Sequence, residues 1–207
     1  LRLGREYLGG EIHSYTPAYT EANIDEFIAG STHITFNSLG QYRRFGAQVR
    51  AAGVSAGLRV NPKCSVIDTD LYNPALPGSR FGVNADELAD GLPEGIDGLH
   101  FHALCESSSY DLEKVLAAFE EKFGHLLPSL KWVNMGGGHL MTRKGYDTEH
   151  LIKVLRDFKQ RYPWLRVILE PGSAFTWQTG DLVASVVDTV TDCGLPTAIL
   201  DVSFACH

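Results

Sequence analysis

The 207-residue sequence predicts an α/β fold of repeated βα units followed by the start of a β domain, on three observations. Short β-branched or apolar runs alternate with longer segments of helical period, the rhythm of crossover units rather than of a sandwich. Six such runs occur in succession, and strands running in one direction need a crossover between each pair. After Gly172 the period switches to two, which marks a different architecture.

The predicted strands are Glu11 to Tyr15, His33 to Asn37, Ala56 to Asn61, Gly98 to Leu104, Lys131 to Met135 and Arg166 to Glu170. Between the fourth and fifth, Leu112, Val115, Leu116, Phe119 and Phe123 recur at helical spacing and place one apolar stripe against a sheet. Leu151, Ile152, Leu155, Phe158 and Tyr162 predict a second helix, with Asp147 or Thr148 as N-cap and Pro163 at its end. Tyr72 to Phe81, carrying Pro74, Pro77 and Gly78, reads as the one long loop. Leu182 to Thr191 alternates in period two, Gly194 and Pro196 mark a turn, and Thr197 to Ser203 follows as a strand, so the boundary falls between 1–175 and 176–207.

Composition removes several function classes. Lys plus Arg number 18 against 25 Asp plus Glu, a net charge of −7, with no basic stripe to neutralise a nucleic-acid backbone. The apolar runs are far shorter than the roughly 20 residues that span a bilayer, and no signal-peptide pattern opens the chain, so the expectation is a cytoplasmic protein that binds neither membrane nor nucleic acid. Cys64, Cys105, Cys193 and Cys206 are widely spaced without a C-x-x-C pair, which fits reduced thiols. Both ends read as cut: the chain opens inside a helical-looking segment without Met and stops directly after an expected strand.

Barrels of βα units keep their chemistry at strand C-terminal ends, which here carry Tyr15, Asn61, His102, the Gly136 to Gly138 turn and Glu170. Three glycines after a strand let backbone N–H groups close on a phosphate; the plainer alternative is a strand-to-helix turn. Glu170, one βα unit later and followed by Pro171-Gly172, can hold a pyridine nitrogen protonated, or cap a turn. Together these motifs suggest a pyridoxal phosphate site. Yet no lysine stands where such a cofactor forms its Schiff base: Lys63 is past a strand end, but Pro62, Cys64 and Ser65 put it in a loop.

His100 and His102 flank Phe101 on one strand and project from one face. His102 against an aromatic cofactor, a metal held by the pair with His139 or Asp201, and ordinary core histidines are the readings open to them. Arg59 is an interior candidate for pairing with Glu170, or an outward surface charge. After the histidine strand, Glu106 is placed to bind a substrate amine and Ser107 a phosphate oxygen, unless Cys105 to Ser108 is only a solvated loop.

Six motifs then occur in family order: His13-Ser14-Tyr15-Thr16-Pro17-Ala18-Tyr19, Leu58-Arg59-Val60-Asn61-Pro62, Ser79-Arg80-Phe81-Gly82, Phe101-His102-Ala103-Leu104-Cys105-Glu106, Met135-Gly136-Gly137-Gly138-His139 and Glu170-Pro171-Gly172. In them the whole chain resembles the carboxynorspermidine/carboxyspermidine decarboxylases, a branch of the alanine racemase-like, fold type III pyridoxal phosphate enzymes. The glycines and Glu-Pro-Gly are shared with ornithine and diaminopimelate decarboxylases; the tyrosine-rich first motif and Leu-Cys-Glu mark the branch.

The resemblance implies a (β/α)₈ barrel, of which about six units are present, with a C-terminal β domain and a homodimer whose sites lie at the interface. It implies that Gly136, Gly137, Gly138 and Gly172 hold the phosphate, Glu170 the pyridine nitrogen, that His102 stacks on the ring, and that the substrate is a polyamine of carboxynorspermidine or carboxyspermidine type. It also implies that the Schiff-base lysine ends a strand upstream of Leu1, that further substrate-contacting residues lie beyond His207, and that this chain alone is inactive and prone to aggregate. Ser173 stands where many relatives have Arg, one cation fewer for the phosphate. Diaminopimelate decarboxylation, a non-catalytic relative and a metal-dependent hydrolase are the alternatives.

Overall fold

The computed structural model describes residues 1–203, which form two compact units, Leu1–Phe175 and one beginning at Thr176. The first unit holds one sheet of six parallel strands in sequential order: β1 His13–Tyr15, β2 His33–Phe36, β3 Ser55–Arg59, β4 Gly98–His100, β5 Trp132–Asn134 and β6 Arg166–Ile168. All six expected strands are present, each shorter than the sequence suggests. Their C-terminal residues leave the ladder and become the loops of the site.

Four of the five crossovers are made by α1 Ile24–Gly30, α2 Leu39–Ala51, α3 Ser109–Phe123 and α4 Thr148–Arg161, whereas the connection from β3 to β4 holds only two single 3-10 turns, Asp70–Tyr72 and Asp86–Leu88. Local chemistry sets the helix starts. Ser38 accepts from the Gln41 N–H at α2, Ser108 and Asp111 form a reciprocal capping box at α3, and Asp147 accepts from the His150 N–H at α4. The stripe of α3 is buried as expected. On α4 the buried set is Leu151, Val154 and Phe158, while Ile152 is exposed: it stands one residue, about 100°, off the sheet-facing line.

Register explains why these strands are not uniformly apolar. Phe36, Leu58, Leu99 and Val133 share a rung, are fully buried, and belong to the core that also holds Phe45, Val49, Leu116, Phe119 and Phe158 of the helices. The adjacent rung, Arg59, His100 and Asn134, points the other way and is polar and buried. Side chains alternate across a strand, so one face builds the core and the opposite face builds the site.

The second unit contains one hairpin, β7 Val186–Asp192 and β8 Leu195–Leu200. Its turn is Cys193-Gly194, both with positive φ, 48° and 79°, as a two-residue turn matched to strand twist requires. Pro196 lies in β8 opposite Thr191 rather than in the turn, because Asp192 already pairs with Leu195 and closes the turn ahead of it. The expected strand end at Ser203 falls beyond β8, and Cys206 lies outside the described residues; the three described cysteines are free thiols. Among the described residues no helix is long and apolar enough to cross a membrane.

Candidate active site

The polar rung closes on itself at the strand C-terminal ends. Arg59, 6% exposed, donates from Nη1 to the Tyr15 hydroxyl (2.6 Å) and from Nη2 to the His102 carbonyl (3.1 Å). Its guanidinium lies over the rings of Tyr15 and Phe81, at 4.8 and 4.6 Å from their centroids. Tyr15 in turn donates to Asn37 Oδ1 (2.8 Å). Arg59 therefore faces inward but is paired with Tyr15, not with Glu170: its hydrogen bonds go to the Tyr15 hydroxyl and the His102 carbonyl, and the carboxylate contributes only a more distant favourable charge.

Glu170 is held by a residue that no motif singled out. Asn134 Nδ2 donates to Glu170 Oε1 (2.7 Å) while Asn134 Oδ1 accepts from the Gly136 N–H (2.8 Å). The Glu170 N–H donates to the Gly136 carbonyl (2.8 Å). Asn134 thus ties the carboxylate to the glycine turn through both ends of one amide. A polar residue inside the run Trp132-Val133-Asn134-Met135, 1% exposed, was the available sequence signal.

His100 and His102 share the inner face, ring centroids 6.3 Å apart. His102 Nδ1 accepts from the Gly137 N–H (3.4 Å), which leaves Nε2 to carry the proton of the neutral ring. Burial, with Arg59 and His139 nearby, pushes the His102 pKa down to about 4. His100, His102 and Glu170 each offer a ligand atom within 4.8 Å of the others. His139, named from the sequence as a further ligand, is absent from that group, and within the second unit Asp201 Oδ1 accepts from the Ser185 N–H (2.8 Å).

The glycine turn is shaped by backbone packing. Gly136 and Gly138 have φ of 68° and 85°, and a Cβ on them would lie 2.6 Å from the Phe101 carbonyl oxygen and 2.3 Å from that of Leu104. A Cβ on Gly137 would lie 2.6 Å from the Glu170 carbonyl oxygen. The turn therefore runs against the loops after β4 and β6, and no side chain fits between. The Ser107 N–H donates to the Gly138 carbonyl (2.8 Å), whereas the Ser107 hydroxyl bonds to the Cys105 backbone. At Gly172 nothing lies within 4 Å of a built Cβ.

Around this rung lie the remaining sequence-derived candidates. Glu106 is exposed, with φ 47°. Asn61 is turned into structure, donating to the Pro74 and Phe81 carbonyls (3.2 and 3.3 Å) and so pinning the long loop. Lys63 is exposed and its N–H donates to Asn61 Oδ1 (2.9 Å). Tyr15, Arg59, Tyr72, Phe81, His102 and Cys105 line a cleft of about 380 Å³ above the rung.

No family model matches the chain. A carboxyaminopropylagmatine decarboxylase from Synechocystis is 49% identical over 206 residues, covering 100% of this chain and 53% of that protein. A carboxynorspermidine/carboxyspermidine decarboxylase from Campylobacter jejuni is 47% identical with the same coverages. The crystal structure of carboxynorspermidine decarboxylase complexed with norspermidine, also from Campylobacter jejuni, superposes with a TM-score of 0.81 at 44% identity, over 98% of this chain and 51% of that one. A lysine decarboxylase variant in complex with pyridoxal phosphate, 20% identical, shares the fold (TM-score 0.61, over 91% of this chain and 51% of that one). The chain spans about half the length of the curated relatives it matches. Across that span it is similar in sequence and fold to the carboxynorspermidine/carboxyspermidine decarboxylases and their carboxyaminopropylagmatine-named relative.

Proposed function

We propose that the full-length protein carrying this chain is a pyridoxal phosphate-dependent decarboxylase of a carboxylated polyamine, yielding norspermidine or spermidine from carboxynorspermidine or carboxyspermidine. The observation that carries the reading is the Asn134–Glu170 hydrogen bond, which sets a carboxylate beside the glycine turn and His102. The donor set fits the cofactor. Glu170, 37% exposed in its side chain, has Oε2 uncommitted to Asn134 and available to a ring nitrogen. When bound, pyridoxal phosphate supplies a protonated pyridine ring that draws electron density from the breaking Cα–carboxylate bond.

The chain's own residues have separable tasks in this reading. Glu170 would keep the proton on the ring nitrogen, neutral His102 would meet the ring without adding charge, and Gly136 to Gly138 with Gly172 would receive the phosphate. Glu106 accepts from an ammonium of the cationic tail. In the net reaction the Cα–carboxylate bond breaks, CO₂ departs, and one proton is added at Cα. The lysine that holds the cofactor comes from outside these residues, and the same reading makes the protein a cytoplasmic homodimer. Light scattering on the purified protein and cell fractionation test those two points.

A divalent cation on His100, His102 and Glu170 is the second reading, favoured by their mutual distances. It ranks below the first because Asn134 already engages Oε1 and the Gly137 N–H already engages His102 Nδ1. Metal analysis of the purified protein separates them.

The decisive experiment measures CO₂ release by the full-length protein with pyridoxal phosphate, offered carboxynorspermidine, carboxyspermidine, carboxyaminopropylagmatine and diaminopimelate separately. Release from carboxynorspermidine or carboxyspermidine with none from diaminopimelate is the expected result. Release from carboxyaminopropylagmatine alone changes the substrate but keeps the chemistry. Release only from diaminopimelate, or from nothing, overturns the proposal.

A further inference from the structure

His100 is 1% exposed, and among the described residues neither of its ring nitrogens has a hydrogen-bond partner. Such a group is costly to bury, so an unpartnered imidazole inside a site calls for a reason. The ring meets Tyr15 edge-on, centroids 5.6 Å apart at 82°. Its Nε2 stands 3.7 Å from Glu170 Oε2, just beyond hydrogen-bond length. That oxygen is the one Asn134 does not hold, since Asn134 bonds to Oε1. A carboxylate held at one oxygen retains freedom about its terminal torsion, and a second anchor removes it.

We propose that His100 is the second anchor of the Glu170 carboxylate, donating its Nε2–H to Oε2 so that Asn134 and His100 together set the direction in which Glu170 meets the ring nitrogen of the bound cofactor. This rests on the cofactor reading above. Glu170 remains the group that touches the cofactor, and His100 is a positioning residue. Its chemistry suits the task. Burial, reinforced by Arg59, His102 and His13, drives the His100 pKa well below the usual imidazole range, so the ring is a neutral donor. A neutral donor orients the carboxylate without cancelling the charge that keeps the ring nitrogen protonated. The anchor needs only a shortening of the present 3.7 Å separation, as site hydrogen bonds do when a ligand binds.

The test uses the full-length protein and its Glu170→Gln, His100→Ala and His100→Gln variants, loaded with pyridoxal phosphate carrying ¹⁵N in the pyridine ring. The ¹⁵N shift reads ring protonation directly, and kcat and KM are measured alongside. Glu170→Gln is expected to move the shift to the unprotonated position. His100→Ala moves it part of the way and lowers kcat on the order of ten-fold with KM nearly unchanged, and His100→Gln, which restores an N–H, recovers most of both. If Glu170→Gln moves the signal while folded His100→Ala does not, the anchor is wrong and the cofactor reading stands. If Glu170→Gln leaves it unmoved, the cofactor reading itself fails. Should His100→Ala not fold, the imidazole ¹⁵N spectrum of the unaltered protein decides: an Nε2–H tautomer supports the anchor and an Nδ1–H tautomer overturns it.

Discussion

Arg59 and Tyr15 are joined by a 2.6 Å hydrogen bond from guanidinium to phenol, and the same guanidinium stacks on the Tyr15 ring at 4.8 Å. The pair links β3 to β1 across the inner face, and Tyr15 extends the link to Asn37 after β2. Burial raises the Tyr15 pKa even against the pull of Arg59, so the phenol stays protonated and donates onward to Asn37. Tyr15→Phe keeps the stack but leaves a buried Arg59 donor without its partner and Asn37 Oδ1 with only the Gly82 N–H. The expected loss is about 1–3 kcal/mol in urea unfolding of the full-length protein. An unchanged midpoint would show that water takes the place of the hydroxyl.

A second relationship sets the floor beneath the site. Tyr15, Thr35, Gly57, Gly98, Trp132 and Arg166 share one inward rung, and a Cβ on Gly98 would stand 2.0 Å from Trp132 Cδ2. On Gly57 it would stand 2.2 Å from the far end of the same indole. Two glycines therefore make room for one tryptophan, whose Nε1–H reaches Ser55 Oγ (3.0 Å). Gly98→Ala is expected to cost about 1–3 kcal/mol through overpacking, and pairing it with Trp132→Phe should recover part of that loss. Thermal melts of the single and double variants check both, and strictly additive losses would argue that the contact is not the cause.

How much of this was legible in the sequence follows from the range over which each feature is encoded. Period and caps are local, so all six strands, α3, α4 and the hairpin could be read directly, as could the placing of His100 with His102. Pairings across strands are not local. The sequence leaves Arg59 open between pairing with Glu170 and facing solvent, whereas the fold turns it inward and brings Tyr15, forty-four residues away, to its guanidinium. Asn134 carried no motif, and its role emerges only when β5 and β6 lie side by side. The floor was invisible for the same reason, since Gly57 and Gly98 look like ordinary strand glycines until Trp132 crosses them.

Acid should weaken the fold through its buried imidazoles. His102 titrates near 4 in the folded chain against the usual value near 6.5, and burial likewise lowers His100, His139 and His13. Between those two pH values the unfolded chain takes up the His102 proton and the folded chain does not, so stability falls as pH drops through this window and recovers above it. Each such group contributes at most about 1.4 kcal/mol per pH unit there. Urea midpoints of the full-length protein at pH 7.5 and pH 5 should differ in that direction, and His102→Gln should reduce the difference. A midpoint that rises toward pH 5 would contradict the buried, neutral state of these rings.

Gly138 and Gly172 are both assigned to the phosphate, but only Gly138 is confined by its surroundings. Gly138 combines φ of 85° with a 2.3 Å approach of a built Cβ to the Leu104 carbonyl, so Gly138→Ala is expected to destabilise by about 2 kcal/mol or more and to weaken cofactor binding through the displaced turn. Gly172 has open space where a Cβ would stand, and no positive φ is recorded for it. Gly172→Ala should therefore change stability by no more than about 0.5 kcal/mol. Any loss of pyridoxal phosphate affinity in that variant must come from the approach of the ligand itself. Fluorescence titration of the cofactor into both variants, beside their melts, makes the comparison. Affinity unchanged in a stable Gly172→Ala protein would remove Gly172 from the phosphate site and leave the turn after β5 to hold it.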